Sequence, residues 1–215
     1  MAEPGQIAVS QGMRGRILEI LKTTGGATAG ALGESLGISA VGIRQHLTLL
    51  ERDGLVRHLP VRKGRGRPSH LYELTEEASG VFPQRYSDLL LTLIEAVRVT
   101  SGEQGLGELF DRRTDILEER YRAALEGKDL VERVEALARI RSAEGYMAEF
   151  ERDGDGRLVL RERNCAIWAV ANNCAHVCRG EMELFQRVLP DAEVIRLDHI
   201  ASGDSTCLYH IRPKT

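Results

Sequence analysis

The chain has 215 residues, 42% of them hydrophobic, and a formal net charge of -3. That is enough apolar material for two modest cores, which excludes a disordered chain, and no run reaches the roughly 18 apolar residues that span a bilayer. The start, MAEPGQIAVSQG, lacks a basic stretch followed by an apolar core, so a cytoplasmic protein with no membrane partner is expected.

Residues 1–11 are polar, contain a Pro-Gly pair and show no period, and they read as a flexible tail. A domain over 12–79 follows. Its first helix begins near Gly12, with Met13, Ile17, Leu18 and Leu21 at the spacing of a buried stripe, and Gly25 and Gly26 end it. Thr28 caps a second helix with Leu32 and Leu36 inward, and Gly37 stands where a left-handed residue is wanted. Ser39 caps a third helix, SAVGIRQHLTLLERDG, whose core side takes Val41, Ile43, Leu47 and Leu50. Ser39, Ala40, Gly42, Arg44, Gln45 and Thr48 are left to solvent. Small residues at that end allow close approach, and Arg44 and Gln45 reach base edges or phosphates. After Gly54, strands LVRHLPV and HLYELT flank a turn, RKGRGRPS, whose tip holds Arg62, Lys63, Arg65 and Arg67. From Ile38 to Tyr72 seven basic residues stand against two acidic ones. Such a patch attracts phosphates although the whole chain is acidic. These helices and the GRGRPSHLYELT hairpin resemble the winged helix-turn-helix of bacterial transcription regulators. The resemblance implies double-stranded operator DNA as partner, with Ser39, Ala40, Arg44, Gln45 and Thr48 at the groove and the four wing residues on phosphates or the minor groove.

Residues 80–143 read as a helical linker and dimerisation region. FPQRYSDLLLTLIEAVRV is apolar on more than one side, with Leu89, Leu90, Leu93, Ile94 and Val97 available, so a second copy is expected against it. After SGEQGLG, a further helix carries Leu109, Phe110, Ile116, Leu117 and Tyr121 at helical spacing, and Asp129 caps DLVERVEALARIRSA.

Over 144–215 the period changes to two. YMAEFERD and RLVLRER form a hairpin around the plain turn DGDG, followed by the helix EMELFQRVL and strands EVIRLDH and TCLYHIRP. The whole is an α+β chain, and this small α+β domain holds all four cysteines: Cys165, Cys174, Cys178 and Cys207. Clustered thiols in a reducing compartment point to thiolate ligation or redox chemistry rather than structural disulfides. The intervals are eight, three and twenty-eight residues, with no C-x2-C pair of the zinc-knuckle kind. Cys174 and Cys178 would share a face if helical, which admits zinc and fits a larger cluster at least as well. Ile167, Trp168, Val170 and Val177 are apolar flanks able to exclude water. No Gly-rich nucleotide loop lies between strand and helix, and only Cys174 with His176 or Cys178 suggests a nucleophile and base, so an enzyme is not expected.

The GRGRPSHLYELT wing, Asn164-Cys165, VCRGEMELFQRVL and SGDSTCLYHI together resemble the SufR-type repressors, which sense iron-sulfur clusters and control cluster-assembly genes. That likeness implies a 4Fe-4S cluster, with a 2Fe-2S cluster or zinc as alternatives, in a homodimeric repressor whose operator affinity follows cluster occupancy. A zinc-binding or thiol-redox winged-helix regulator is the other reading. The family pattern, C-x12-C-x13-C-x14-C, falls on Cys165, Cys178 and Cys207, but its third position falls on Ala192. The fourth ligand is then Cys174, or one of His176, Glu183, Asp198 and His199, or an open position.

Overall fold

In the computed structural model, which describes residues 12–61, 69–154 and 156–214, the caps read from the N-terminal sequence set the first elements. The tail expected over 1–11 and the wing residues Arg62, Lys63, Arg65 and Arg67 lie outside the described residues. Helix α1 (Met13–Thr24) ends on left-handed Gly25, and strand β1 (Ala27–Thr28) leads into α2 (Ala29–Leu36), where the Thr28 hydroxyl accepts from the Ala31 amide. Helix α3 (Ala40–Arg52) starts on Ser39, whose hydroxyl accepts from the Gly42 amide. The turn between α2 and α3 is tight because position 33 is glycine. A Cβ there would stand 2.7 Å from the Ile38 carbonyl oxygen.

Strands β2 (Val56–Val61) and β3 (Ser69–Leu74) pair antiparallel from Val56 opposite Leu74 to Val61 opposite Ser69. The short β1 adds to the far edge of β3. Ile17, Leu32, Ile43, Leu47 and Val56 close one core. Val41, assigned inward from sequence, is instead 63% exposed. The buried stripe of α3 runs through Ile43, Leu47 and Leu50, and Val41 lies about 200° round the helix from Ile43.

The chain divides into two units, Met1–Arg85 and Tyr86–Thr215. The helices expected over 80–143 and the domain expected over 144–215 therefore meet in one body. Helix α4 (Tyr86–Leu125) is interrupted at Gly102, which takes φ 67 and ψ -173. Positive φ suits glycine, and the break expected across 101–107 narrows to that one residue. Helix α5 (Leu130–Arg141) opens on a capping box between Asp129 and Glu132. Then come β4 (Ala148–Arg152), β5 (Leu158–Glu162), the short α6 (Trp168–Ala171), α7 (Ala175–Val188), β6 (Ala192–Asp198) and β7 (Cys207–Pro213). The sheet is antiparallel in the order β4-β5-β7-β6. Tyr121 of α4, Leu137 of α5, Phe185 of α7 and Tyr209 of β7 share its core, which is why the linker helices cannot stand apart from the sheet. Among the described residues no helix is long and apolar enough to cross a membrane.

Candidate functional site

The four cysteines arrive on different elements. Asn164 donates from Nδ2 to the Gly145 carbonyl at 2.7 Å, which fixes the loop that presents Cys165 after β5. Cys178 sits in the first turns of α7, and Cys207 opens β7, opposite Glu162 in register. Cys165, Cys178 and Cys207 line one small cavity together with Glu162, Glu181, Arg196, His199 and Tyr146. Cys174 does not line it. It is the N-cap residue of α7, with extended φ -145, and is buried among Ile94, Leu106, Phe110 and Val170. The shared helical face expected for Cys174 and Cys178 is lost because the helix begins only at Ala175. The apolar flanks Val170 and Val177 pack in the cluster around Cys174, with Ile167 against its edge, while Trp168 is exposed.

The other proposed ligands separate in the same way. His176 contacts the Glu103 carboxylate through Nε2 at 3.0 Å, and Glu183 binds Arg187 at 2.5 Å. His199 does reach the cavity, with Nδ1 held by the Ser202 hydroxyl at 2.9 Å. Burial, reinforced by Arg196, holds its pKa below the ordinary value, so the imidazole is neutral and able to ligate at neutral pH. Ala192 is opposite Pro213 at the far end of the β6–β7 ladder from Cys207, roughly 20 Å along β7. A cysteine there would not reach this cavity.

The cavity adjoins a cleft of about 680 Å³, the two sharing Ala171, Cys178, Arg196, His199 and Ala201. Burial raises the pKa of Cys165 and Cys207 and pushes Cys178 up to about 12. Backbone amides oppose this at two sulfurs: Ile200 donates to Cys207 Sγ at 3.4 Å, and Ile167 to Cys165. Such amides steady a thiolate once metal has displaced the proton. Three thiols, two amide donors and adjoining room fit an iron-sulfur cluster in donor chemistry. A single tetrahedral zinc wants its sulfurs about 3.8 Å apart, given a Zn–S bond of about 2.3 Å. Among the described residues no group of three or more His, Cys, Asp or Glu side chains converges to hold one ion. In metal-free protein, iodoacetamide should modify Cys178 slowly at pH 7 and about tenfold faster for each pH unit up to its pKa. Mass spectrometry of each cysteine against pH measures this. Rapid modification of Cys178 at pH 7 would contradict the burial argument.

Sequence reasoning overlooked the groups behind the thiols. Arg141, only 1% exposed, donates from Nε to Glu162 at 2.6 Å and from Nη2 to Glu181 at 2.8 Å, and its guanidinium carbon lies 3.3 Å from the Tyr146 ring centre. The available signal was Cys178-x-x-Glu181, two polar residues on one helical face.

In the N-terminal unit, Arg44, Gln45 and Thr48 are exposed on α3, Ser39 is exposed with its hydroxyl occupied as a cap, and Ala40 is half-buried. Arg44 lines a cleft of about 560 Å³ with Thr28, Ala29 and Gly30 at the start of α2 and with Ser69, His70 and Tyr72 of β3. Ser69 Oγ is buried there and has no partner among the described residues. Helix amides, an arginine and hydroxyls make a seat for an anion. Val41, Thr28, Ser69 and His70 join the interface candidates that sequence had not named.

Residues 9–58 match the family model described as a helix-turn-helix domain. No curated protein matches the chain. The matched segment contains α1, α2 and α3, with a winged sheet built directly after it, and such a domain is that of a DNA-binding transcription regulator.

Proposed function

We propose that this chain is a homodimeric repressor of iron-sulfur cluster assembly genes, and that a 4Fe-4S cluster held by Cys165, Cys178 and Cys207 controls its operator affinity. The observation that carries the cluster is the convergence of those three thiols on one cavity, from a loop, a helix and a strand. When bound, the cluster supplies a tether among those three elements. That the cluster-bound form is the repressor follows the resemblance to the SufR-type family. The zinc reading is less well supported, since the thiols do not converge as a single ion requires.

Connections from α7 toward α4 favour coupling. His176, two residues before Cys178, contacts Glu103, and Arg98 binds the same carboxylate at 2.6 Å from the other side of Gly102. Movement of α7 therefore bears on the segment 86–101 through a bend that glycine allows, which gives two sites and one element able to link them. Anaerobically reconstituted and metal-free protein should differ in affinity for an operator selected in vitro from a random pool, and iron and sulfide should be recovered in equal amounts. Equal affinity in the two forms would remove cluster control from the proposal.

Two predictions attach to the reader and the dimer. Arg44→Ala should weaken binding to the selected operator by about 1–3 kcal/mol and relax base preference at one position, measured by fluorescence anisotropy on a mismatch series. On α4, Ile94 is buried but Tyr86, Leu89, Leu90 and Leu93 remain exposed, a stripe that a two-fold copy would cover. Leu89→Glu with Leu93→Glu should convert dimer to monomer in sedimentation equilibrium. A dimer of unchanged affinity would move the interface elsewhere.

A further inference from the structure

Arg196 is a cation placed where the chain provides it no counterion. On β6 it stands opposite Tyr209, whereas Asp198, two positions on, stands opposite Leu208, because the register shifts between them. Successive residues of β7 point to opposite faces of the sheet. The shift therefore sends the arginine to the face of Cys207 and Tyr209, and its nearest acid in sequence to the other face. Arg196 is half-buried and lines both the cavity of the three thiols and the adjoining cleft. Its one hydrogen bond among the described residues runs from Nη1 to the Cys178 carbonyl at 3.3 Å, and it joins no ion pair there. A guanidinium carries five N–H donors and a fixed charge, and a cation drawn out of water with nothing opposite it is costly.

The other guanidiniums nearby are already engaged. Arg141 answers Glu162 at 2.6 Å and Glu181 at 2.8 Å. Arg179 lines the cleft but not the cavity, and it faces Asp111 at 3.7 Å. Apart from the His199 imidazole, Arg196 is the one basic side chain on the cavity wall among the described residues. While the thiols keep their protons, the carboxylates of Glu162 and Glu181 balance the guanidiniums of Arg141 and Arg196. Metal ligation takes those protons away and leaves the region negative.

We propose, resting on the cluster reading above, that Arg196 is the counterion of the loaded cavity and sets its reduction potential. It acts as a positioning charge and not as a ligand, since its bond to the Cys178 carbonyl keeps the guanidinium beside the helix that supplies one thiolate. Reduction adds one electron, here from dithionite, and breaks no bond to the protein. A fixed positive charge on the wall favours the form with the extra electron, so net charge nearby moves the potential. Loss of Arg196 lowers it.

The test is a spectroelectrochemical titration of anaerobically reconstituted protein, with melting of each metal-free variant as a check on folding. Arg196→Gln should lower the midpoint potential. Arg196→Lys, which keeps the charge without the forked donors, should stay near the native value, and Arg179→Gln should match it. An unchanged potential in Arg196→Gln would overturn the proposal, as would an equal drop in Arg196→Lys, which would place the effect in packing or in the carbonyl bond. A native potential that moves with added inorganic phosphate, when that of Arg196→Gln does not, would also overturn it, since the guanidinium would then take its counterion from solution. Should Arg196→Gln hold no cluster, retention decides. A metal-free Arg196→Gln that melts as the native protein does, beside an Arg196→Lys that holds cluster, supports the charge role, whereas cluster loss in both variants or a much lower melting temperature overturns it. A native protein that takes up no iron and sulfide would instead fail the cluster reading itself, a different result from a cluster whose potential ignores Arg196.

Discussion

Arg141→Met should destabilise the 86–215 unit by about 3–5 kcal/mol, the cost typical of breaking a buried ion pair from one side. The guanidinium is the common partner of Glu162 and Glu181, and it also contacts the Tyr121 hydroxyl at 3.5 Å and lies over Tyr146. Methionine restores the packing of the stem and removes the charge, so both carboxylates remain buried with no cation from Arg141 opposite them, Glu181 keeping its hydrogen bond from the Tyr146 hydroxyl. The expected signature has three parts. Urea unfolding followed by circular dichroism shifts to lower concentration. Adding Glu162→Gln and Glu181→Gln to the same chain recovers much of the loss, because the penalty lies in the stranded charges and not in the missing contacts. The third part is pH dependence. Burial already raises the Glu162 pKa, with Arg141 working against that rise. Without Arg141 the folded carboxyl binds its proton more tightly than the unfolded one. The variant should therefore regain stability as pH falls toward the ordinary carboxylate range and lose it as pH rises through the raised value. A single substitution that costs less than about 1 kcal/mol at neutral pH would show that the network is already solvated.

The network also shows where a sequence stops being legible. Thr28, Ser39 and Asp129 were readable as caps because each acts on backbone within three residues of itself. The winged hairpin was readable for a similar reason, since a period of two is a local property. Local rules carried less for α4. Heptad-like apolar residues on both sides of Gly102 say that two faces want cover, but Ile94 and Phe110 find it within the chain and Leu93 does not. Arg141 was harder still. It ends an ordinary amphipathic helix with basic residues, where the default is a solvated side chain, and only the sheet behind it makes the position buried. The shared face expected of Cys174 and Cys178 was lost for a narrower reason. The four-residue spacing to Cys178 assumed that both lie in helix, whereas the helix starts between them. The likeness to the SufR-type pattern picked out three thiols, but neither it nor the spacing could tell that Ala192 and Cys207 lie at opposite ends of one ladder.

The cysteines themselves give the second large expected effect, and here the prediction is an ordering. Cys178→Ala should reduce the iron and sulfide retained after anaerobic reconstitution to background, and with them the difference in operator affinity between reconstituted and metal-free protein. Cys178 is the thiol on the helix that also carries His176, the residue in contact with Glu103, so its loss removes the ligand through which a cluster would act on that helix. Cys174→Ala should keep the full complement. Its thiol is buried in an apolar cluster and does not itself line the cavity, and shortening it leaves a small void worth about 1 kcal/mol of stability. Both metal-free variants should melt slightly lower, since both thiols are buried in one apolar cluster, so the separation lies in the iron: Cys174→Ala should bind it normally and Cys178→Ala should not. A Cys174→Ala protein that loses iron while Cys178→Ala retains it would reverse the assignment and return the site to α7's N-terminal end. Ala192→Cys supplies the complementary case. If the cavity is the site, a thiol added where β6 begins should leave the iron content of the native protein unchanged and should not restore it to Cys178→Ala, because the sheet holds that position away from the other thiols whatever the spacing in sequence suggests.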